Sequence, residues 1–329
     1  MAASSTYAAS GTLDTVIHSM LDKSRRKLIM ASIKSNALVA WMFASDRVET
    51  EDGGANITNP MTFGRNPNIS SFQYYDTQPM VQTNEFNTVG YGWSRVGGSL
   101  IMSDQEQDEN RGEAQIFKLL TAKMDVLEAS IQEKFSTYFY ATGSGTDPNG
   151  LGNVIPDDPT TGTIGGISRA TESQWRTSAY QFSGNLDSTN IEEAFDDILM
   201  DLKLKGDKPD LILLGRNIVR TYRQAVRDKL MINIGDTKSG KAMYDLGFEG
   251  FTHNGVMCMY DEDCGVNRAY FINSKYLRLH ILKGVNMKVK ELVAPWNVDA
   301  IGRRVLWQGQ LCIWRAFRTH AVLRNGTTG

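Results

Sequence analysis

The chain has 329 residues, of which 41% are hydrophobic and 22% are charged, and its formal net charge at pH 7 is −2. This charge excludes the strongly basic class of nucleic-acid-binding protein, and three cysteines are too few for a fold held by disulfides, which indicates a reducing compartment. The longest apolar run, Ala37–Ala44, is far shorter than the roughly 20 residues that a membrane helix needs, so we expect a soluble protein made in the cytosol and no membrane partner.

The N-terminal region is predicted to be an arm with one apolar face. Leu13, Val16, Ile17 and Met20 recur at three- and four-residue steps, a pattern typical of an amphipathic helix that continues to Leu28. Its polar side carries four basic residues: Lys23, Arg25, Arg26 and Lys27. These could neutralise a few phosphates of nucleic acid or pair with acidic residues of a neighbouring subunit, and the sequence leaves both interpretations open.

Residues 49–104 form a long excursion that is rich in glycine and asparagine and has no helical period. Such insertions are rare inside a compact domain, disordered segments are usually poor in aromatic residues, and a hairpin standing alone has too little core to be stable. We therefore expect the excursion to lie on another copy of the chain. The predicted inter-subunit contacts are aromatic residues in and before it: Trp41, Phe72, Tyr74, Tyr75, Phe86, Tyr91 and Trp93. The alternative, a surface loop with incidental aromatic residues, would leave an exposed apolar patch.

A long helix is predicted from Arg111 to Tyr140. Apolar residues keep a helical period along it: Ile116, Leu119, Leu120, Leu127, Ile131, Phe135 and Tyr138. At ~1.5 Å per residue this helix is on the order of 40 Å long. Gly143, Pro148 and Gly150 follow its last turn, as expected beyond a helix C-terminus.

A region of mixed helices and strands follows. Thr189 and Glu192 have the spacing of a capping box at the start of a helix, and Leu211–Leu214 is predicted to be a short buried strand. Further predicted elements are a helix at 217–230, strands at 255–260 and 269–271, a half-buried strand through Met287 and Val289, and a strand-rich C-terminal stretch at 304–323. The chain is therefore predicted to be an α+β protein.

One segment resembles a phosphate-binding loop. Gly235 to Lys241 supplies Gly, four intervening residues and Gly-Lys, but Ala242 stands where the motif needs a Ser or Thr hydroxyl for magnesium. The residues after it also form a poor helix, so an anion site there would lack its helix dipole. A polar loop is the favoured interpretation, and a nucleotide-binding enzyme is kept as the alternative from another class.

Metal and acid–base sites are not indicated either. His253, Cys258, Cys264 and His280 match no common zinc-ligand spacing. The acidic group Asp261-Glu262-Asp263 follows a predicted strand, where acidic turn residues are common. We therefore predict no catalytic residue, no metal and no cofactor, and a protein that is not an enzyme.

The order of an N-terminal arm, an extended hairpin, a long helix, a glycine-rich loop and an α/β region resembles the major capsid protein of tailed bacteriophages, which has the Hong Kong 97-type fold. Local sequences carry the resemblance: Gly150-Leu151-Gly152-Asn153, Gly165-Gly166-Ile167-Ser168-Arg169 and Trp175-Arg176, then Pro209 to Leu213, and Gly250-Phe251 through Asp261 to Asn273. It covers nearly the whole chain, and its motifs persuade by their order more than one by one.

The resemblance implies a division into five parts: an N-arm at 1–48, an extended β-hairpin called the E-loop at 49–104, a peripheral domain with a long spine helix at 105–185, an axial domain at 186–284, and a return to the peripheral domain at 285–329. It implies a shell protein that assembles into hexamers and pentamers of an icosahedral virion in the cytoplasm of a host bacterium. Implied partners are other copies of the chain, a scaffolding protein, a portal, packaged double-stranded DNA bound without sequence preference and, in some members, a decoration protein.

One departure from the family is informative. Some members link subunits covalently through an E-loop lysine and a neighbour's asparagine, but no lysine lies between Lys34 and Lys118 here. We therefore expect a non-covalent shell. The nearest alternative is an encapsulin-like nanocompartment, whose shell holds proteins instead of DNA, and nothing in the sequence separates the two.

Overall fold

A computed structural model describes residues 27–30, 33, 36–62, 68–82, 86–109, 113–143, 145–182, 186–204, 206–225, 250–290 and 300–325. Two predictions fall outside these ranges: most of the amphipathic N-terminal helix with Lys23, Arg25 and Arg26, and the loop from Gly235 to Ala242. No helix within the described ranges is both long and apolar enough to cross a bilayer.

The described helices are dominated by one long element. They are α1 (Ala37–Ala44), α2 (Asp104–Glu109), α3 (Glu113–Tyr140), α4 (Leu151–Val154), α5 (Ile191–Leu202) and α6 (Arg216–Ala225). The spine predicted from the helical period is α3, and its buried residues recur every three or four positions: Met124, Leu127, Ile131, Phe135 and Phe139. This spacing places one stripe of α3 against the core, so the prediction of the long helix is confirmed.

A five-stranded sheet lies under the spine helix. Its strands are β1 (Val48–Glu51), β4 (Ser94–Ser103), β12 (Leu277–Leu282), β13 (Lys288–Val289) and β14 (Ala300–Ile313). The edge strand β1 runs parallel to β12, and the other pairs are antiparallel. Gly98 of β4 lies under α3, where a Cβ atom would come within 2.7 Å of Leu127. The glycine therefore permits the close approach of helix and sheet.

A six-stranded sheet forms the second layer. Its strands, in spatial order, are β7 (Ser178–Phe182), β15 (Ala321–Asn325), β11 (Arg268–Ile272), β8 (Leu211–Leu214), β10 (Val256–Tyr260) and β9 (Gly250–His253). Side chains of β8 alternate between its two faces: Ile212 and Leu214 pack with α5 and α6, and Leu211 and Leu213 belong to the core shared with α1 and α3. Because both faces are covered, all four residues of β8 are buried.

Two small antiparallel pairs complete the described strands: β2 (Asn56–Thr62) with β3 (Phe86–Gly92), and β5 (Thr163–Ile164) with β6 (Ile167–Ser168). The predicted capping box is corrected. Asn190, and not Thr189, is the residue that precedes α5, and the carboxylate of Asp187 accepts hydrogen bonds from the backbone N–H groups of Thr189 and Asn190. An Asp-capped turn therefore leads into the helix.

Strand pairing groups the chain differently from the predicted five-part division. β4, predicted to belong to the excursion that lies on another copy, pairs along its whole length with β14 of its own chain. That prediction is therefore wrong for residues 94–103, and the projecting part is shorter. β12, predicted within the axial region, lies in the sheet of β1, β4 and β14, and β7 and β15 extend the six-stranded sheet.

Candidate assembly surface

The hairpin β2–β3 carries a long loop at its end. The strands pair from Asn56 opposite Gly92 to Thr62 opposite Phe86. Beyond them, the amide of Asn68 donates to the carbonyl oxygen of Val81 at 2.8 Å and accepts from the backbone N–H of Val81 at 2.9 Å. This side chain takes the place of a backbone rung and holds the two sides of the loop together.

The end of this loop, residues 69–82, is exposed along its whole length, and we call it the tip. Tyr74 and Tyr75 are fully exposed, and Phe72 is 62% exposed. Three further large hydrophobic residues are exposed there: Ile69, Met80 and Val81. So many apolar side chains in one exposed segment gain nothing from burial within the chain, and such patches mark interaction sites. The exposure of Phe72, Tyr74 and Tyr75 is consistent with the inter-subunit contacts predicted for them, and these contacts stay a prediction.

The root of the hairpin is buried in its own chain. Ile57, Val89 and Tyr91 belong to the core, and a Cβ atom on Gly165 would overlap Val89 and crowd the Tyr91 ring. The backbone N–H of Gly90 also donates to the carbonyl oxygen of Gly165 at 3.0 Å. Gly165 has φ +60°, a conformation that glycine adopts without strain. The turn between β5 and β6 therefore packs directly against the root of the hairpin.

The structure corrects the assignment of Tyr91 as an inter-subunit contact. Tyr91 is 2% exposed, and its hydroxyl donates to the carbonyl oxygen of Ile313 at 2.8 Å and accepts from the N–H of Ile313 at 3.3 Å. Its ring meets the edge of Trp314 with centroids 5.7 Å apart. Burial raises the pKa of Tyr91 well above its usual value. The residue is a neutral anchor of the hairpin inside the subunit.

The junction between hairpin and body consists of Trp93 and the residues that hold its neighbours. The Nε1–H of Trp93 donates to the carbonyl oxygen of Gly54 at 2.9 Å, which closes the base of the hairpin. The amide of Gln310, buried in β14, donates to the carbonyl oxygen of Gly92 at 3.0 Å and to the hydroxyl of Ser94 at 3.2 Å. Trp93 is half-buried against its own core, so its predicted contact with a neighbour can involve only part of the ring.

An open cleft of about 700 Å³ lies beside this junction. The backbone of β3 and the glycine-rich stretch after α3 form its walls, with Gln310 and Leu306 of β14. The stretch after α3 is itself fixed, since the backbone N–H of Asn149 donates to the Gln310 amide oxygen at 2.7 Å. One buried glutamine therefore ties the hairpin, the loop after the spine and the five-stranded sheet together.

Trp41, predicted as an inter-subunit contact, is also buried within its own subunit. It lies in α1, where it is 7% exposed and belongs to the main core. Asn36 caps this helix by accepting from the N–H of Val39 at 2.8 Å. Trp41 therefore stabilises its own subunit. A run of eight apolar residues predicts burial correctly, but it does not say which chain provides it.

The remaining predicted contacts are only partly described. Phe86 opens β3, opposite Thr62, at the point where the hairpin meets its loop. Lys27 is exposed at the start of the helical residues 27–30. The three other basic residues predicted to face DNA lie outside the described ranges, so that prediction stays open.

The acidic group after β10 has a structural role. Asp261 is buried, and its carboxylate accepts from the backbone N–H of Ala37 at 2.5 Å and from the hydroxyl of Tyr140 at 2.8 Å. It therefore joins the start of α1 to the end of α3. Burial is the main cause that raises the pKa of Asp261, against these hydrogen bonds, which lower it. The carboxylate of Asp263 accepts a hydrogen bond from the hydroxyl of Ser136, which lies on α3.

The four residues weighed as zinc ligands do not form one cluster. Cys258 and Cys264 are buried free thiols whose pKa values burial raises. His253 lies between the hydroxyl of Tyr222, at 2.7 Å, and the carboxylate of Asp196, at 2.9 Å. Within the described part of the chain, the group of metal-ligating side chains whose ligand atoms converge within 4.8 Å is Glu49, Glu51 and His280.

Sequence reasoning missed several residues of the tip. The predicted contacts included the aromatic residues of the tip but not Ile69, Met80 and Val81. Large aliphatic side chains in a polar, proline-containing segment also indicate an exposed apolar surface. Sequence reasoning also missed Asn68 and Gln310, since a single polar residue does not reveal a partner that lies far along the chain.

Comparison with solved structures identifies the architecture. The capsid asymmetric unit of cyanophage A-1(L) matches at 16% identity with a TM-score of 0.64, covering 86% of this chain and 92% of that one. The capsid of Myoviridae phage XM1 matches at 12% identity with a TM-score of 0.51, covering 87% and 92%. The capsid of the native GTA particle matches at 9% identity with a TM-score of 0.55, covering 91% of each chain. No protein-family model and no curated protein matches the sequence. The chain has the Hong Kong 97-type capsid fold, and the predicted fold class is confirmed.

Proposed function

From this fold and the exposed tip, we propose that the chain is a major capsid protein that assembles with copies of itself into an icosahedral shell of hexamers and pentamers around double-stranded DNA. The observation that carries the proposal is the tip, residues 69–82, which presents three aromatic and three aliphatic side chains to solvent. The occupant of this surface is a neighbouring copy, because related folds in solved structures are capsid subunits.

The hairpin divides into a fixed root and an adhesive tip. At the root, Tyr91, Val89 and Ile57 are held in the core of their own subunit, so the direction of the hairpin is set before any contact with a neighbour. At the tip, burying one large apolar side chain is worth roughly 1.5–3 kcal/mol. Such contacts repeat at each copy of a closed shell, so modest contacts per subunit suffice for a stable assembly.

The same proposal assigns roles to the other regions. The helix α1 and the chain before it form the N-arm, the region around α5 and α6 forms the axial domain at the centres of capsomers, and the five-stranded sheet with α3 forms the peripheral domain. A scaffolding protein, a portal and a decoration protein are partners of the growing or finished shell. The basic residues around Lys27 face DNA or acids of a neighbour. The role is mechanical, and no catalytic group is assigned.

The test removes the whole loop at the end of the hairpin, residues 63–85, which includes the tip, and leaves the root. Because Thr62 and Phe86 are opposite each other, the segment between them can be replaced by Asn-Gly, which closes two antiparallel strands in a tight turn. Electron microscopy and sedimentation of the full-length protein should show shells or ring-shaped capsomers. The variant without the tip should keep its circular dichroism spectrum and melting temperature and remain unassembled. Normal shells from this variant would refute the proposal.

The contents of the particles distinguish a virion shell from a protein nanocompartment. Packaged double-stranded DNA would survive nuclease treatment of intact particles and be released on disassembly. Particles that contain protein cargo and no protected nucleic acid would instead support the nanocompartment.

A further inference from the structure

A buried imidazole faces two carboxylates where the edge strand β1 meets β12. In the parallel register Glu49 lies opposite His280, and Glu51, two residues along, is on the same face. Glu49 and Glu51 are each 40% exposed, whereas the His280 side chain is 2% exposed. The edge of the imidazole packs against Trp314 with ring centroids 5.3 Å apart, which fixes its orientation.

The two ring nitrogens of His280 have different surroundings. Nδ1 lies 3.1 Å from Oε1 of Glu51, within hydrogen-bond distance. Nε2 is buried and has no hydrogen-bond partner, and Oε2 of Glu49 lies 3.7 Å away. With the proton on Nδ1, Nε2 carries a lone pair, and Oε2 of Glu49 lies across a gap too long for a hydrogen bond. This arrangement is favourable when a cation lies between the two atoms.

The gap fits a metal ion. Zinc–nitrogen and zinc–oxygen bonds are about 2.0–2.2 Å long, so two ligands of a tetrahedral ion lie about 3.4 Å apart. The outer partners have the arrangement usual around bound metals. Glu51 accepts from the Nδ1–H of the imidazole, and Arg278 binds the other oxygen of Glu49. Arg278 also offsets one of the two negative charges.

We propose that His280 Nε2 and Glu49 Oε2 bind one divalent transition-metal ion of the Zn²⁺ class, with Glu51 and Arg278 orienting the two ligands and water completing the coordination. A mixed nitrogen and oxygen ligand pair favours zinc, cobalt or nickel over calcium and magnesium, which take oxygen ligands. This site departs from the sequence-based expectation that the chain has no metal.

The site has a structural consequence for β1. This strand lies at the edge of its sheet and connects α1 to the hairpin β2–β3. An ion shared by Glu49 and His280 links β1 to β12 through side chains as well as through the backbone ladder. The ion therefore fixes the strand β1, which leads into the projecting hairpin. The site does not depend on shell formation, because all four residues belong to one subunit.

The contrast with His253 supports the assignment. His253 also lies beside a carboxylate, but both of its ring nitrogens have partners, Tyr222 on one side and Asp196 on the other. Its environment is complete without an ion, whereas that of His280 is not.

The test is Zn²⁺ binding to the full-length protein after dialysis against chelator, measured by isothermal titration calorimetry, with Co²⁺ absorption as a second probe. One saturable ion per chain that depends on this cluster is expected. Glu49→Gln and His280→Gln should each weaken that binding at least tenfold, and Glu51→Gln should weaken it about 10–100-fold, the usual effect of an outer partner. Asp52→Asn is the matched control, because Asp52 is an exposed carboxylate beside the cluster that pairs with Lys283, and it should bind as the unmodified protein does.

Hydrogen exchange provides a readout that does not depend on the variants folding identically. Zn²⁺ should increase protection of the β1 amides in the unmodified protein and in Asp52→Asn, and not in Glu49→Gln. Two results would overturn the proposal: no saturable binding by the unmodified protein, or binding that Glu49→Gln and His280→Gln leave unchanged.

Discussion

The hydroxyl of Tyr91 bonds both the carbonyl oxygen and the N–H of Ile313, so a side chain of β3 pairs with the backbone at the end of β14. Residues more than two hundred positions apart are thereby joined at the root of the hairpin. Because the contact is buried away from water, the Tyr91 hydroxyl provides the hydrogen bonds that water would otherwise make to the two backbone groups of Ile313.

Replacing Tyr91 by Phe should destabilise the subunit by about 1–3 kcal/mol, because it leaves the buried polar groups of Ile313 without their partner. Urea unfolding followed by fluorescence measures this change. Tyr74→Phe is the control, since Tyr74 is fully exposed and its hydroxyl can bond water in either state. Equal stability of Tyr91→Phe and the unmodified protein would contradict the assigned role.

Two adjacent glycines allow the energetic cost of a steric clash to be measured apart from the cost of a positive φ. Gly165 and Gly166 both have positive φ, +60° and +79°, but a Cβ on Gly165 would overlap Val89 while one on Gly166 would meet nothing within 4 Å. Gly166→Ala should cost about 1–2 kcal/mol, the usual penalty for this conformation. Gly165→Ala should cost clearly more, and adding Val89→Ala should recover part of the difference. The comparison is made by thermal and urea unfolding.

His320 should make the subunit sensitive to acid. Complete burial lowers its pKa to about 3, against a usual value of 6.5, so the folded state holds it neutral. Its contribution to stability is fully present above pH 6.5 and is lost as the pH falls toward 3, because the unfolded chain then binds a proton that the folded chain refuses. The expected loss is about 1.4 kcal/mol per pH unit between pH 6 and 4. Relative to His320→Gln, the unmodified protein should lose about 1.4 kcal/mol of unfolding free energy per pH unit, so the difference between the two proteins should shrink or reverse. Urea unfolding of both proteins between about pH 6 and 4 measures this change.

The tip should matter for assembly and not for folding. The double change Tyr74→Ser and Tyr75→Ser removes two fully exposed rings, so the melting temperature of the free subunit should change little. Sedimentation should show loss of shells or capsomers. Val126→Ser removes an exposed apolar side chain from α3 and serves as the control for general changes in solubility. A melting temperature that falls with assembly intact would place the two rings inside the subunit.

The shell should contain no covalent links through this hairpin. The chain has no lysine between Lys34 and Lys118, so neither hairpin strand nor the tip can provide an amine for an isopeptide bond. Assembled particles boiled in detergent should give one band near 36.6 kDa on a denaturing gel. A ladder of multiples would show another cross-link.

The sequence predicted elements whose signals are local. The period of Leu127, Ile131 and Phe135 predicted α3, and the short apolar run Leu211–Leu214 predicted β8. The fold class followed from the order of such elements. A local pattern did not reveal the partners of residues distant in the chain.

Three failures have this common cause. The aromatic ring of Tyr91, in a segment with too little core of its own, indicated burial, but it could not show whether the same subunit or a neighbour provides that burial. The same holds for Trp41 in α1. The pairing of β4 with β14 joins residues about two hundred positions apart, and extended residues near Gly97 gave no sign of it. The exposed aromatic residues of the tip were found because no element near them could cover them.

The change from β3 to β4 takes place within a single residue, Trp93, since β3 ends at Gly92 and β4 begins at Ser94. One strand of the projecting hairpin thus continues almost directly into the sheet of the body. Tyr91 and Gly92 before this residue and Ser94 after it are each held by residues of β14. The hairpin therefore cannot turn at Trp93 without breaking contacts in the core, and any bending of the projection has to occur farther out, toward the tip.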